Sequence, residues 1–315
     1  MVKGRALRVG LLVGREKSFP EALILDVASR KAGVTVEYAE LSAPSALEAP
    51  PYDVLVDRIS HEVTVYQPYL KLAALYGTRV VNNPFWRIAD DKFFNAGLAS
   101  RLGLAVPKTL LLPQKTYGPD VNSESLRNLR YVDWEQVAHR LGFPMYLKPH
   151  WGGGWKAVSR VTNMSELMAA YDKSGQLTMI LQEDIHWTQY LRCLVIGQRD
   201  VRPALWDPRL PHAERYKRAH ETMPRMSVEL TELVMDGALK ITQALGYDMN
   251  TVEFAVRDGV PYAIDFMNSA PDFDIASLGQ AHFDWVVGRM SELVIDLART
   301  PIPQRYRWDD LLRGH

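Results

Sequence analysis

The first eighty or so residues alternate between short apolar runs and amphipathic segments, and this alternation constrains the fold more than any other feature. Because parallel strands are joined by long crossovers, usually helices, the pattern predicts an open α/β sheet. The first strand–helix turn contains only Gly14, so it lacks the glycine fingerprint of a dinucleotide-binding domain and argues against a dehydrogenase. The predicted strands are 8–13, 34–38, 53–56 and 78–81, and the predicted helices are 20–31 and 65–76.

The composition excludes several classes of protein. The chain has 315 residues, of which 47% are hydrophobic and 23% charged, enough for two or three subdomains. Its 37 basic and 37 acidic residues balance, so charge gives no reason to expect nucleic acid or an anionic membrane as a partner. The single cysteine, Cys193, allows no intramolecular disulfide and fits a reducing compartment. No apolar run resembles a signal peptide or a membrane span, so we expect a cytoplasmic protein.

A glycine-rich hairpin at residues 146–158 is the strongest chemical signal. An apolar strand delivers Lys148, and Gly152, Gly153 and Gly154 follow. Glycine permits positive φ and close backbone approach, so such a loop can donate N–H groups to phosphates, while the lysine supplies a point charge. A tight turn alone needs fewer glycines, and a mobile lid over phosphates would justify the entropy cost of three. The loop is not a Walker A element, because no Gly-Lys-Ser/Thr follows.

Two carboxylates interrupt apolar strands about a hundred residues further along the chain. Glu253 lies in one strand and Asp265 in the next, and the turn 257–259 joins them. Isolated buried carboxylates are costly, so a cation partner is the natural physical account of both. Oxygen ligands of this kind hold Mg²⁺ against nucleotide phosphates. The acids and the glycine hairpin together predict a nucleotide site.

Seven short motifs occur in the order seen in ATP-grasp enzymes. Together they resemble the branch that contains glutathione synthetase, D-alanine–D-alanine ligase and the ribosomal-protein glutamate ligases, over roughly residues 8 to 300. The resemblance implies an α/β N-terminal domain followed by a two-lobed α+β ATP-grasp module. The motifs are 82–84, Asp91 with Lys92, 103–109, the Lys148 hairpin, 181–183, Arg192 with Gly197, and 268–271.

The same resemblance divides the chain into four segments. Residues 1–105 would form the N-terminal domain, 106–185 the small lobe with the glycine-rich lid, and 186–305 the large lobe with the metal-binding strands. Residues 306–315 would form a C-terminal tail. ATP would lie between the lobes, with Mg²⁺ bridging its β- and γ-phosphates.

Several residues match the nucleotide contacts of the family. Lys92 and Lys148 would reach the phosphates from opposite sides, and the glycine loop would cover them. A ribose-binding carboxylate is expected shortly after the adenine segment, but this sequence offers Gln189 or Tyr190 there instead. The candidates for the adenine pocket are Gln182, Glu183 and Ile185.

The metal ligands implied by the resemblance are Glu253, Asp265 and Asn268. The family spacing Glu-x-Asn puts two ligands on one face of a strand through its two-residue period. Here Asp265 and Asn268 are separated by one extra residue, so they share a face only if a β-bulge intervenes; otherwise the site is altered. Asp272 and Asp274, just beyond, could ligate metal, bind substrate or form only a solvated acidic turn.

The implied reaction is ATP-dependent carboxylate–amine ligation. A substrate carboxylate attacks the γ-phosphoryl group, and an amine captures the resulting acyl-phosphate; the substrates would be small molecules, such as amino acids, or peptides. Arg192, together with Arg202, would steady the anionic intermediate. Two alternatives are an ATP-grasp kinase that phosphorylates an alcohol and a nucleotide-binding module that has lost catalysis. Related ligases are commonly dimers, which suggests a homodimer by analogy.

Overall fold

The computed structural model describes residues 6–86, 91–152, 154–266 and 268–300. Within these ranges the strands form three four-stranded sheets. Three predicted features, Gly153, the helix start at 88–90 and the tail 306–315, lie outside the described residues. None of the helices in the described ranges is both long enough and apolar enough to span a membrane.

The first sheet is parallel, as the alternation of strands and helices predicted. It contains β1 (Leu7–Leu12), β2 (Val34–Tyr38), β3 (Val54–Asp57) and β4 (Arg79–Val81), with the connecting helices α1 (Ser18–Ser29) and α2 (Tyr66–Leu75). The strand order is β2-β1-β3-β4, and every residue of β3 is buried. The boundaries differ from the predicted ones by no more than two residues. The apolar periodicity therefore located this unit well.

The second sheet is antiparallel and carries the glycine hairpin. In chain order, the elements are α3 (Lys92–Arg101), β5 (Thr109–Leu112), α4 (Trp134–Leu141), β6 (Met145–Pro149), β7 (Ser159–Val161), α5 (Met164–Ser174) and β8 (Met179–Glu183). The strand order is β5-β8-β6-β7. Strand β6, which leads into the hairpin, therefore lies beside β8, and Lys148 pairs in register with Ile180.

The third sheet is antiparallel and carries the acids. Its elements are β9 (Gln189–Ile196), β10 (Asp200–Leu205), a 3₁₀ turn (His212–Glu214), α6 (Ala219–Thr222), α7 (Val228–Leu245), β11 (Met249–Arg257), β12 (Val260–Asp265), α8 (Ile275–Leu278) and α9 (Gln280–Arg299). The order is β10-β9-β11-β12. Alternate residues of β9 pack into two separate cores, one with α7 and one with α9. Cys193 belongs to the α7 core, and burial raises the pKa of its thiol, so it is a structural core residue.

Buried polar contacts join the first sheet to the third. Asn82, directly after β4, accepts hydrogen bonds through Oδ1 from the N–H groups of Asp248 (2.6 Å) and Met249 (3.0 Å). Its Nδ2 donates to the carbonyl of Met249 (2.8 Å). Arg79 forms a buried ion pair with Asp248 at 2.8 Å. The Asn82 motif thus fixes the start of β11, the strand that carries Glu253.

Candidate active site

One row of charged side chains crosses three strands of the third sheet. The register pairs Arg192 on β9 with Glu253 on β11, and Glu253 with Asp265 on β12. Directly paired residues share a face, so these three side chains lie next to one another. A β-bulge creates this alignment. Phe254 pairs with Ala263, so Ile264, between Ala263 and Asp265, has no partner on β11.

The sequence left open a bulge or an altered site, and a bulge is present at Ile264. It precedes Asp265, whereas the prediction required one between Asp265 and Asn268. The N–H of Asn268 donates to Oδ1 of Asn250 (2.9 Å), and its own Oδ1 accepts from the N–H of Ala270 (3.2 Å). Glu253 and Asp265 are thus paired in register, and the metal-binding roles of Glu253, Asp265 and Asn268 stay predictions.

Glu253 is held by two neighbours from its own sheet. The hydroxyl of Tyr190 donates to Oε2 at 2.9 Å, and Nε of Arg192 lies 3.6 Å from Oε1. Burial raises the pKa of Glu253, and the Arg192 guanidinium opposes that shift. Tyr190 was a ribose candidate, yet its hydroxyl orients this carboxylate. The contact was missed because it depends on the register of β9 against β11.

Lys148 faces this row from the second sheet. Its Nζ is buried and donates to Oε1 of Gln182 at 2.8 Å. Burial lowers the pKa of Lys148 to about 8, while the charges of Asp265 and Glu253 raise it and that of Lys92 lowers it. A narrow cleft lies between α3, β8 and β12. Among its lining residues are Lys92, Asn95, Gln182, Ile264, Asp265 and Phe266.

Lys92 contacts the glycine loop directly, and its predicted reach to phosphates from the side opposite that loop stays a prediction. It is the first residue of α3, and its Nζ donates to the carbonyl of Gly152. Its N–H donates to the carbonyl of His150 at 2.9 Å, which fixes the helix start against the hairpin. Gly152 and Gly154 have φ of 95° and 72°, a conformation that favours glycine whatever the space around it.

The predicted adenine segment is tied to the neighbouring sheet. Oε1 of Glu183 accepts from Nη1 of Arg257 at 2.9 Å, and Oε2 accepts from the N–H of Lys108 at 3.2 Å. Burial opposes ionisation of Glu183, but these donors lower its pKa overall. Ile185 is buried at the beginning of the segment that leads to β9. Nε2 of Gln189 donates to the carbonyls of residues 224 and 225 (3.0 and 3.2 Å), so the ribose contact stays a prediction.

Arg192 and Arg202 occupy the same face of the third sheet. Arg192 on β9 pairs with Ala204 on β10, and Arg202 lies two residues before Ala204 on that strand. The two arginines are therefore diagonal neighbours on one face. Nε of Arg202 donates to Nδ1 of His282 at 2.9 Å. Burial, followed by the charge of Arg202, lowers the pKa of His282 to about 4, so a neutral imidazole orients this guanidinium. His282 gave no signal in the sequence, because it comes from a helix far along the chain.

Arg58 is a further residue that the sequence did not single out. It follows the buried strand β3 and donates through Nη2 to the carbonyl of Pro271 at 2.5 Å. Its guanidinium also pairs with Glu16 at 2.6 Å and lies 4.6 Å from the ring centre of Phe273. It anchors the segment after Asn268 to the first sheet. A charged residue at the carboxyl end of a parallel strand was the available signal, since ligand sites cluster there.

The donor set determines which cation the site could hold. In the part of the chain that the structure describes, no three His, Cys, Asp or Glu side chains converge as a metal cage. A cation between Glu253 and Asp265 would need further oxygen ligands from phosphate, amide or water. That requirement fits Mg²⁺, which is bound by one or two carboxylates plus phosphates in nucleotide sites.

Comparison with known proteins agrees with this geometry. The sequence is 27% identical over 260 residues to the D-alanine–D-alanine ligase of Ralstonia nicotianae, a match covering 74% of this chain and 78% of that one. The fold matches the D-alanine–D-alanine ligase of Bacillus anthracis complexed with ATP, with a TM-score of 0.63 and 18% identity over 96% of this chain and 100% of that one. It also matches a RimK domain ATP-grasp protein of Sphaerobacter thermophilus, with a TM-score of 0.64 and 19% identity over 91% and 99% of the two chains. No protein-family model matches the chain.

The fold is therefore that of the ATP-grasp enzymes, with mixed α/β architecture, as the order of motifs predicted. In sequence the chain is similar to D-alanine–D-alanine ligases. The residue roles within the site stay predictions, and they enter the proposal below.

Proposed function

We propose that the protein is an ATP-dependent carboxylate–amine ligase that acts through an acyl-phosphate. One observation carries the proposal. The ammonium groups of Lys92 and Lys148 lie near enough for their charges to interact, and the charges of Glu253 and Asp265 also act on Lys148. Among the described residues, no carboxylate lies within 4.0 Å of either ammonium, and both donate to neutral oxygens. A polyanion such as ATP would supply the missing negative charge.

The domain arrangement follows from the same proposal. The first sheet falls within residues 1–105, the second within 106–185 and the third within 186–305. These ranges would be the N-terminal domain and the two lobes of the ATP-grasp module, and ATP would lie between the lobes. The fold neighbour from Bacillus anthracis is complexed with ATP, which supports ATP as the nucleotide.

The residues of the chain would act by positioning and by charge. When bound, Mg²⁺ would neutralise the phosphates that a substrate carboxylate has to approach. Glu253 and Asp265 would hold that ion from neighbouring strands. Lys148 would fix the phosphates, and Arg192 would stabilise the anion that forms as the carboxylate oxygen attacks phosphorus. No side chain needs to form a covalent intermediate, as in phosphoryl transfer generally.

The first test is the unfolding temperature of the protein alone, with ADP, and with ADP plus Mg²⁺. Ligand at about a hundred times its dissociation constant stabilises the folded state by roughly 2.7 kcal/mol. We expect a clear rise that requires Mg²⁺, and ADP formation from ATP that requires both a carboxylate and an amine.

The alternatives give different results in the same assays. ADP formation that requires an alcohol and no amine would indicate a kinase. A rise with ADP alone, without turnover, would indicate a nucleotide-binding module whose metal site has been lost. No rise under either condition would contradict the site itself.

A further inference from the structure

Hydrogen bonds join the second and third sheets beside the predicted adenine segment. The segment 105–108, which lies between α3 and β5, contacts both sheets. The carbonyl of Ala105 accepts from the N–H of Ala263 on β12 at 2.9 Å. Three residues later, the carbonyl of Lys108 accepts from the N–H of Glu183 at 2.9 Å. The end of β8 is therefore held at a junction between the two sheets.

An ion pair crosses the same junction. Nη1 of Arg257, the last residue of β11, donates to Oε1 of Glu183 at 2.9 Å. Its Nη2 donates to the hydroxyl of Tyr262 at 2.9 Å, and the guanidinium lies 4.6 Å from the centre of that ring. Both charged side chains are partly buried, so solvent screens this pair less than a fully exposed one. Arg257 is thus fixed by two hydrogen bonds and a ring contact, an arrangement that needs the planar guanidinium.

The carboxylate of Glu183 is oriented by the protein itself. Oε1 accepts from Arg257, and Oε2 accepts from the N–H of Lys108 at 3.2 Å. These two donors tie the end of β8 to β11 and to the start of β5. The contacts favour an indirect role for Glu183 in nucleotide binding, in which its side chain fixes the position of the backbone that leads to Ile185.

Arg257 lies on the strand that carries a proposed metal ligand. Glu253 is four residues earlier on β11, and the register of β11 against β9 is regular from residue 249 to residue 256. Alternate residues of a strand share a face, so Glu253 and Arg257 lie on the same face, about 13 Å apart along the strand. The contact between Arg257 and Glu183 therefore fixes the adenine segment of the second sheet relative to Glu253 on the third.

We infer that Arg257 is a positioning residue, which acts through Glu183 to hold the adenine segment at a fixed place relative to Glu253 and so determines the preference for the base. This inference rests on the proposed nucleotide site. A ligand that spans both lobes needs its base and phosphate contacts at a fixed separation, and a displacement of about 1 Å can remove much of the benefit. Loosening the junction should weaken the contacts of the base and spare those of the phosphates, which depend on Lys92 and Lys148.

The test measures the dissociation constants of ADP and GDP, each with Mg²⁺, by calorimetry on the full-length protein. We expect the parent to bind ADP about tenfold or more tightly than GDP, because adenine has an amino donor where guanine has a carbonyl acceptor. In Arg257→Met we expect ADP to bind about tenfold more weakly and GDP to change little, so that the preference is lost. Arg257→Lys keeps the charge without the planar fork, and its preference should lie between those of the parent and Arg257→Met.

Arg160 offers a matched control. Its Nε donates to Oδ2 of Asp184 at 2.7 Å, and Asp184 directly follows Glu183. Arg160 lies on β7 and Asp184 follows β8, so this ion pair lies within the second sheet and does not join it to the third. Arg160→Met should therefore keep the preference for ADP. Equal losses for ADP and GDP in Arg257→Met, or binding that does not change, would overturn the inference.

A double-mutant cycle tests whether Glu183 acts through Arg257. Glu183→Gln removes the charge with little change of shape, and we expect the double variant with Arg257→Met to bind ADP no more weakly than the weaker single variant. A further loss in the double variant would mean that Glu183 contacts the base directly, and would overturn the inference. A parent without preference between ADP and GDP would also overturn it and leave the ligase function standing. No binding of either nucleotide would overturn the proposed function as well.

Discussion

The charged side chains on the two sides of the cleft have different kinds of partner. On the second sheet, Lys148 and Lys92 each donate to a neutral oxygen, one on Gln182 and one on Gly152. On the third sheet, Glu253 is held by Arg192 and by the hydroxyl of Tyr190. The acid side is therefore compensated by its own sheet, and the lysine side depends on charge from elsewhere. This asymmetry fits the proposal that an anion binds beside the two lysines and supplies the missing negative charge.

The pKa of Lys148 expresses the same difference. Burial lowers that pKa from 10.5 to about 8, so the unfolded chain holds the proton more tightly than the folded one. Keeping this lysine charged therefore costs stability below pH 8, and the cost disappears as pH rises from about 8 to 10.5. If phosphates bind beside Nζ as proposed, they would offset this cost at neutral pH.

The largest effect should come from removing the charge on the uncompensated side. Lys148→Met keeps most of the side-chain volume, and we expect ATP turnover to fall by about 100-fold or more, since no other buried lysine or arginine lies at this end of β6 among the described residues. The stability of the free protein should change little or rise, because the buried charge is gone. Turnover and thermal unfolding with and without ADP–Mg²⁺ measure the two effects. Lys173→Met, at an exposed position of α5, is the control, and full activity in Lys148→Met would contradict the site.

The second effect concerns Glu253 and Asp265, the two carboxylates proposed to hold Mg²⁺. Asp265 is exposed at the cleft and faces Glu253 across the bulge. Asp265→Asn keeps the shape but removes one carboxylate, so we expect Mg²⁺-dependent ADP binding to weaken by about 10- to 100-fold. Titration of ADP with Mg²⁺ followed by calorimetry measures it. A larger loss of Mg²⁺ dependence in Asp272→Asn than in Asp265→Asn would show that the acids beyond Pro271 hold the metal.

The sequence predicted the lysine side of the cleft better than the acid side, for a physical reason. Lys148 and its glycines are contiguous, and Lys92 begins a helix directly after a recognisable motif, so local pattern was enough. The alignment of Arg192, Glu253 and Asp265 depends on the register of three strands and on a one-residue bulge at Ile264. Spacing in the sequence raised the question of a bulge but could not locate it.

Contacts between residues far apart in the chain also could not be predicted from the sequence. Tyr190 binds Glu253 across 63 residues, and His282 binds Arg202 across 80. Arg58 reaches Pro271 across 213 residues. Each depends on how the sheets and helices pack together, so the sequence does not show which two residues will meet. Long-range partners of this kind orient the functional groups without identifying themselves in the sequence.

The third effect removes one of the two neighbours that compensate Glu253. Tyr190→Phe deletes the hydroxyl that donates to Oε2 and leaves the ring between Trp187 and Trp206. We expect the Mg²⁺ requirement to rise about tenfold, because the carboxylate loses its orienting donor. Stability should fall by about 1 kcal/mol. The Mg²⁺ concentration at half-maximal activity measures the first effect and urea unfolding the second. An unchanged Mg²⁺ requirement would show that Arg192 alone orients Glu253.

The smallest effect tests whether the acid side also contains a group that burial keeps neutral. The pKa of His282 is lowered from 6.5 to about 4, first by burial and then by the charge of Arg202. Between about pH 6.5 and 4, His282 is protonated in the unfolded chain but not in the folded one. The free energy of unfolding therefore falls as pH drops through this range.

His282→Asn offers Arg202 a neutral acceptor that does not titrate. The loss of unfolding free energy on acidification should be about 1–2 kcal/mol smaller in this variant than in the parent, allowing for partial exposure of the ring. Urea unfolding at pH 7 and at the acid end of the window measures the difference. His139→Asn, at an exposed position in α4, is the control and should follow the parent. Identical acid sensitivity in His282→Asn and the parent would mean that His282 is protonated in the folded protein and repels Arg202, and the compensated side would then contain an unpaired charge of its own.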